Sequence, residues 1–393
     1  MISNSADSHS GLYKEVKKIY TDQFFSTPLV VRSPGRINLI GEHTDYNEGF
    51  VLPAAIDKYI YIAIGKREDN NIHLVACNLN QKHITTVQEL AVGKAGWSAY
   101  ILGIVDQLKR KGYKTGGFNA VLNGNIPVGA GMSSSAAVEC AVIFALNELF
   151  RLGLDKLTMV KLARQSENEF VGLQCGIMDM FTSVFGKKDQ VIKLDCRSLE
   201  YEYFPLKMKG CKIVLFDTGV KHSLASGEYN IRRQQCEEGV NKLRNIYPEI
   251  QSLRDVNLSM LDIHLKDKAD PVIYNRCKYV VEECYRVQAG CDLLLKNDIA
   301  GFGAKMFATH QGLRELYEVS CPELDFLVDL AKKEPDISGA RLLGGGFGGC
   351  TINIIQEDAI AGIGRRFAEA YQKACNRELK MYVASPEDGT ALV

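Results

Sequence analysis

No Cys-x-x-Cys pair occurs among the 12 cysteines, no Gly-Lys-Ser/Thr triplet occurs in the 393 residues, and the formal charge is zero, with 47 basic and 47 acidic side chains. The first absence reads as reduced thiols in a cytoplasmic protein, and the second excludes a Walker A nucleotide loop. Without net charge there is no global field to collect nucleic acid or an anionic membrane, so an anionic ligand must be held locally. The longest mainly apolar stretch, Ala136 to Leu146, is broken by Glu139 and falls far short of the ~20 residues that span a bilayer. Met1 to Lys18 lacks the apolar core of a secretory signal. The seven histidines show no His-Glu-x-x-His or other ligand spacing, so no dedicated zinc site is expected, and a metal would arrive with a nucleotide.

What is abundant is glycine: 35 residues, about 9% against an average nearer 7%, without low-complexity repetition. The length argues for two or three domains. Leu12, Tyr13, Val16, Ile19 and Tyr20 recur at helical spacing before the β-rich Leu29-Val30-Val31. Ser33 to Phe50 reads as a loop. Phe118, Ala120 and Leu122 alternate as in a strand, and a glycine and serine cluster then enters an Ala-rich helix from about Ala136 to Leu152. A second helix is expected over Leu157 to Phe170, and strands and turns over Lys188 to Phe204. Beyond a soft boundary near residue 210, helices are expected at 226–246, 272–296 and 357–376, with strands at Thr351 to Ile355 and Leu379 to Ala384. Cys277, Cys284 and Cys291 repeat every seven residues and read as buried packing on one helical face. The absence of a steady β-α alternation favours an α+β fold.

Three clusters carry chemistry. Pro34-Gly35-Arg36-Ile37-Asn38-Leu39-Ile40-Gly41-Glu42-His43-Thr44-Asp45-Tyr46-Asn47 gathers an arginine, two carboxylates, an imidazole and two amides. It is either a polar surface turn or a grip for sugar hydroxyls, with Arg36 suited to a phosphoryl group. Pro127-Val128-Gly129-Ala130-Gly131-Met132-Ser133-Ser134-Ser135 precedes the Ala-rich helix and is either a serine N-cap or a loop whose free N–H groups meet phosphate. Gly344-Gly345-Gly346-Phe347-Gly348-Gly349 contains a G-x-G-x-x-G match, but it opens onto a strand, which excludes a Rossmann fingerprint. Such a run implies a backbone passing close to a ligand or to the neighbouring domain. Asp217-Thr218-Gly219 occurs once, whereas an aspartic protease needs two such carboxylates.

Together these clusters resemble the galactokinases, within the GHMP small-molecule kinases, from about Val31 to the C-terminus. Pro34 to Asn47 is similar to the galactokinase signature, Gly129 to Ala136 to the superfamily phosphate loop, and Arg341 to Cys350 to its third motif. Cys175-Gly176-Ile177-Met178-Asp179 is similar to the segment with the catalytic aspartate. The resemblance implies two α+β domains, 1–210 and 211–393, the first like ribosomal S5 domain 2, with the active site in the cleft between them. It implies ATP and Mg²⁺ acting with a small sugar, and no nucleic acid, membrane or obligate protein partner.

By position, it implies that Asp179 and Arg36 are catalytic and that Glu42, His43, Thr44, Asp45, Gly176 and Tyr229 bind the sugar. Gly129, Ala130, Gly131, Met132, Ser133, Ser134 and Ser135 would wrap the triphosphate, with Trp97 and Tyr100 near the adenine and Ser135 and Glu167 on Mg²⁺. The implied activity is transfer of the ATP γ-phosphate to the C1 hydroxyl of galactose. A kinase for N-acetylgalactosamine or L-arabinose, or a non-catalytic galactose and ATP sensor, stands beside it. Departures from the family pattern are Met180 where glutamine is common, Met132 for leucine and Leu343 for threonine.

Overall fold

The computed structural model describes residues 5–90, 96–127, 129–208, 210–220 and 225–393. Val128, inside the second cluster, lies outside them, as do Met1 to Asn4 of the opening segment. The chain runs from α1 (Ser5–Phe24) into β1 (Leu29–Asn38), β2 (Phe50–Val51), β3 (Pro53–Lys66), β4 (Asn71–Ala76) and β5 (Gln81–Thr86). Then come α2 (Ala99–Arg110), β6 (Phe118–Gly124), α3 (Ser134–Phe150), α4 (Lys156–Ser166), α5 (Met178–Phe185), β7 (Gln190–Asp195) and β8 (Tyr201–Pro205). The remainder is β9 (Cys211–Asp217), α6 (Ala225–Arg244), α7 (Leu258–His264), α8 (Pro271–Leu295), α9 (Ile299–Glu315), α10 (Pro322–Ala331), β10 (Ile337–Leu342), β11 (Cys350–Gln356), α11 (Ile360–Cys375), β12 (Lys380–Ala384) and β13 (Ala391–Leu392).

A six-stranded sheet has the order β13-β1-β3-β6-β4-β5, with β4 and β6 parallel. Side chains of β3 alternate across it. Ile60, Ile62 and Ile64 enter the main core under α2 to α5, while Tyr59, Tyr61 and Ala63 pack with Val16 and Tyr20 of α1. This is an α+β arrangement: a second sheet, β10-β11-β9-β12, is covered by α10 and α11, where Phe367 meets Phe216 at a ring separation of 5.1 Å. Burying a side chain such as Phe367 contributes roughly 1.5–3 kcal/mol. A third sheet is β2-β7-β8. The main core draws Val31 and Phe118 together with Ile213, Phe302 and Ile352 from beyond residue 210. Cys277, Cys284 and Cys291 are all buried along α8. Among the described residues no helix is long and apolar enough to cross a membrane.

Two expectations need correction. Ser33 to Asn38 is not loop but the second half of β1, because the Pro34-Gly35 pair, which reads as a turn, sits in a bulge where the pairing with β3 shifts register. The bulge presses the chain against the second cluster, and the Arg36 N–H donates to the Met132 carbonyl at 3.1 Å. The expected helix through Phe170 ends at Ser166 and continues as a π-helical turn, Glu167–Val171. Such turns break a regular face and re-aim side chains, and this one carries Glu167.

Candidate active site

The floor of the site is an ion pair. Arg36 leaves the end of β1 and donates through Nε to Asp179 Oδ1 at 2.7 Å and through Nη2 to Oδ2 at 2.6 Å. Asp179 lies in the first turn of α5, where the helix dipole favours a carboxylate. A third Arg36 bond, from Nη1 to the Gly131 carbonyl at 2.5 Å, ties the pair to the glycine loop. Burial opposes the Arg36 charge, but Asp179, Glu42 and Asp45 around it outweigh burial and hold it protonated. The Ser133 hydroxyl also donates to Asp179 Oδ2. Above this floor is a cavity of about 330 Å³, lined by residues of all three clusters.

On one side stand Glu42, His43, Asp45, Gly176 and Tyr229. Glu42 Oε1 accepts from Arg341 Nη2 at 2.9 Å and from the Gly344 N–H at 2.8 Å, and Oε2 accepts from Asn38 Nδ2 at 3.2 Å. Burial would raise its pKa, yet Arg341 and Arg36 lower it, so Glu42 is a carboxylate. The His43 pKa is pushed down to about 4 by burial, so the ring is neutral. Nδ1 of His43 lies 2.7 Å from the Tyr46 hydroxyl, and its ring packs 4.8 Å from Tyr317 and 5.3 Å from Tyr229. Thr44 is not among the lining residues: its hydroxyl is directed to the Gly41 and Phe50 carbonyls, at 2.9 and 2.6 Å, and so ties the loop. Gly176 faces Asp45 so closely that an added Cβ would overlap the carboxylate.

The Asp45 pKa is raised to about 6, first by burial and then by Asp179. Its folded value therefore exceeds its unfolded one, so the stability it contributes is present below about pH 4 and lost as pH rises through 6. Asp45→Asn should thus raise Tm of the ligand-free protein at pH 8 by about 1–3 °C, a gain that shrinks toward pH 5, while weakening sugar binding. Thermal melts of both proteins at the two pH values test this. An equal shift at both would reject the ionisation as its cause.

On the other side is the second cluster. Gly129, Gly131, Ser133 and Ser135 line the cavity, whereas Ala130 and Met132 are buried and can offer a ligand only their backbone. Ser133 occupies the N-cap position of α3 with φ of +57°, but makes no capping bond, its hydroxyl being directed to Asp179. The first N–H groups of α3 are therefore left for a ligand. Ser134 opens α3 and is not a lining residue. Ser135 bonds to Glu167, whose pKa is raised to about 7 by burial and then by Asp179. Trp97 packs half-buried against the main core and does not line the cavity; residues 91–95 before it lie outside those described. Burial, and next Glu167, push Tyr100 up to about 12.

The third glycine run closes the cavity by backbone contact. A Cβ on Gly131 would meet the Leu343 carbonyl at 2.9 Å, and one on Gly344 would meet the Gly131 carbonyl at 3.3 Å. The neighbour that the run approaches is thus the glycine loop of the other half. Met180 and Leu343 point into the core, so neither departure from the family pattern changes the lining. Sequence reasoning missed Cys175 as a lining residue, Arg341, and Glu139, which is fully buried one helical turn beyond Ser135. The i to i+4 spacing of Ser135 and Glu139 was the available signal for the last of these.

Residues 99–187 match the GHMP kinases N-terminal domain and residues 292–373 the GHMP kinases C-terminal. The Methanococcus jannaschii mevalonate kinase structure shares the fold with a TM-score of 0.62 at 20% identity, covering 92% of this chain and 99% of that one. Fold and site together define a GHMP-type kinase. Residues 18–66 match the galactokinase galactose-binding signature. The chain is 42% identical to a Thermotoga maritima galactokinase over 360 residues, 91% of this chain and 98% of that protein. It is 38% identical to one from Fusobacterium nucleatum over 391 residues, 97% and 99% of the two chains. The Lactococcus lactis galactokinase structure, complexed with galactose, matches with a TM-score of 0.92 at 32% identity, covering 97% of this chain and 99% of that one. The chain belongs to the galactokinase family.

Proposed function

We propose that the protein transfers the γ-phosphate of ATP to the C1 hydroxyl of D-galactose, giving galactose 1-phosphate and ADP. The observation that carries this reading is the Arg36–Asp179 pair, set where the Glu42, His43, Asp45 and Tyr229 group meets the glycine and serine loop. Asp179 receives or orients the C1 hydroxyl proton, and Arg36 offsets the charge that builds on the transferring group. Free N–H groups at the start of α3 receive the phosphates, which explains anion binding by a chain without net charge. Thr44 shapes the sugar loop, and Trp97 with Tyr100 sits toward the adenine. Residues 1–210 carry the sugar signature, phosphate loop and Asp179, and residues 211–393 bring Tyr229 and the third glycine run. The twelve unpaired cysteines support a reducing, cytoplasmic setting.

The donor set of Ser135 and Glu167 fits Mg²⁺: hard oxygens, one carboxylate, and a raised Glu167 pKa that a cation would reverse. When bound, the ion would neutralise phosphate charge. ADP release with Mg-ATP is the test, run across galactose, N-acetylgalactosamine and L-arabinose. The highest kcat/KM is expected for galactose. A higher value for either other sugar overturns the substrate assignment, and binding of galactose and ATP without turnover makes the protein a sensor.

A further inference from the structure

We infer that Arg341, at the end of β10, is a positioning residue for the sugar: it locks one oxygen of Glu42 and leaves the other with acceptor capacity for a sugar hydroxyl. This rests on the assignment of Glu42 to the galactose pocket. Arg341 is the largest fully buried side chain of the described residues. Its guanidinium donates to Glu42 Oε1 at 2.9 Å, to the Leu39 carbonyl at 2.7 Å, and to the carbonyls of Asn38 and Leu342. Gly344 N–H adds a second short bond to the same Oε1, while Oε2 receives, among the described residues, only the longer bond from Asn38. Oε1 is thus saturated, and Oε2, in a residue that lines the cavity, keeps acceptor capacity.

The loop backbone has a separate anchor. Buried Glu283 of α8 accepts from the Gly41 N–H at 2.7 Å, from the Thr309 hydroxyl at 3.0 Å and from Arg286 Nε at 2.6 Å. Arg341 shares in holding that backbone through the Asn38 and Leu39 carbonyls, and what it alone brings beside Glu283 is the charged contact to the Glu42 carboxylate; removing one partner of a buried pair leaves the other uncompensated.

A double-mutant cycle on Arg341→Met and Glu42→Gln tests the inference, with KM for galactose, KM for ATP, kcat and Tm read for each protein. Arg341→Met should raise KM for galactose roughly 10–100-fold and leave KM for ATP within about 3-fold. The double variant should be no worse than about 3-fold from Glu42→Gln alone, because both changes act through one carboxylate. Penalties that multiply, or two KM values that rise in step, overturn the inference. If the Met variant does not fold, the same cycle with Arg341→Lys decides between these outcomes. A wild-type chain that turns over no galactose overturns the functional reading and the inference with it. One that does, without coupling between Arg341 and Glu42, overturns the inference only.

Discussion

Asp179→Asn should lower kcat by roughly 10²–10⁴-fold while galactose binding stays measurable by calorimetry. The amide keeps the size of the carboxylate and one acceptor oxygen, so α5 and the bond from Arg36 Nε have no steric reason to change. What it loses is the ability to take a proton, and it turns an NH₂ group toward Arg36 Nη2, which the carboxylate meets at 2.6 Å. Arg36 then lacks its partner in a buried site. The size of the loss separates two roles for Asp179. If it is the base, the fall is in the stated range. If it only orients the hydroxyl, the amide oxygen still accepts that hydrogen bond, and kcat falls about 10-fold or less. ADP release under saturating galactose and Mg-ATP is the measurement, and near-normal turnover would sink the base assignment.

Gly176→Val should raise KM for galactose by about 10–100-fold, with KM for ATP within about 3-fold. A side chain at this position would overlap the Asp45 carboxylate, so one of the two must move. The backbone beside Gly176 is held: Cys175 N–H donates to Asn168 Oδ1 at 3.0 Å and Asn168 Nδ2 to the Cys175 carbonyl at 3.4 Å. Displacement therefore falls on Asp45, whose carboxylate must give up its bonds from the Tyr46 N–H at 2.9 Å and from the Met178 N–H in order to move. Loss of a charged acceptor to the sugar accounts for the magnitude. Steady-state kinetics with each substrate varied in turn checks the split, and an unchanged galactose KM would remove Asp45 from the sugar pocket.

Much of the fold was legible from local patterns. The alternation of isoleucines in β3 with Tyr59, Tyr61 and Ala63 is a strand signature, although that 14-residue strand was not picked out from sequence. The spacing of Cys277, Cys284 and Cys291 placed them on one buried helical face, because a heptad returns nearly to the same side of an α-helix. Pro34 and Gly35 misled because the same residues that favour turns are tolerated in a bulge, and only pairing with β3 distinguishes the two. The π-helical turn at Glu167 had no signal at all. It arises where α4 meets the segment leading to α5, and Asn168 there bonds Cys175 seven residues on.

The site divides in the same way. Residue types alone point to the chemistry the chain can perform, since an arginine, several carboxylates and a glycine and serine loop at a helix start are the groups that phosphoryl transfer to a hydroxyl requires. Composition also located the anion site locally, because zero net charge left no alternative. Which of these groups converge, and which oxygens stay available, follows from long-range packing alone. Arg36 and Asp179 are 143 residues apart, and Glu42 and Arg341 are 299 apart. Their meeting depends on β1 and α5 sharing one apolar core with Leu343, just past β10, and with β11, and burial there turns ordinary side chains into a fixed ion pair, a neutral His43 and a carboxylate with one oxygen that keeps acceptor capacity.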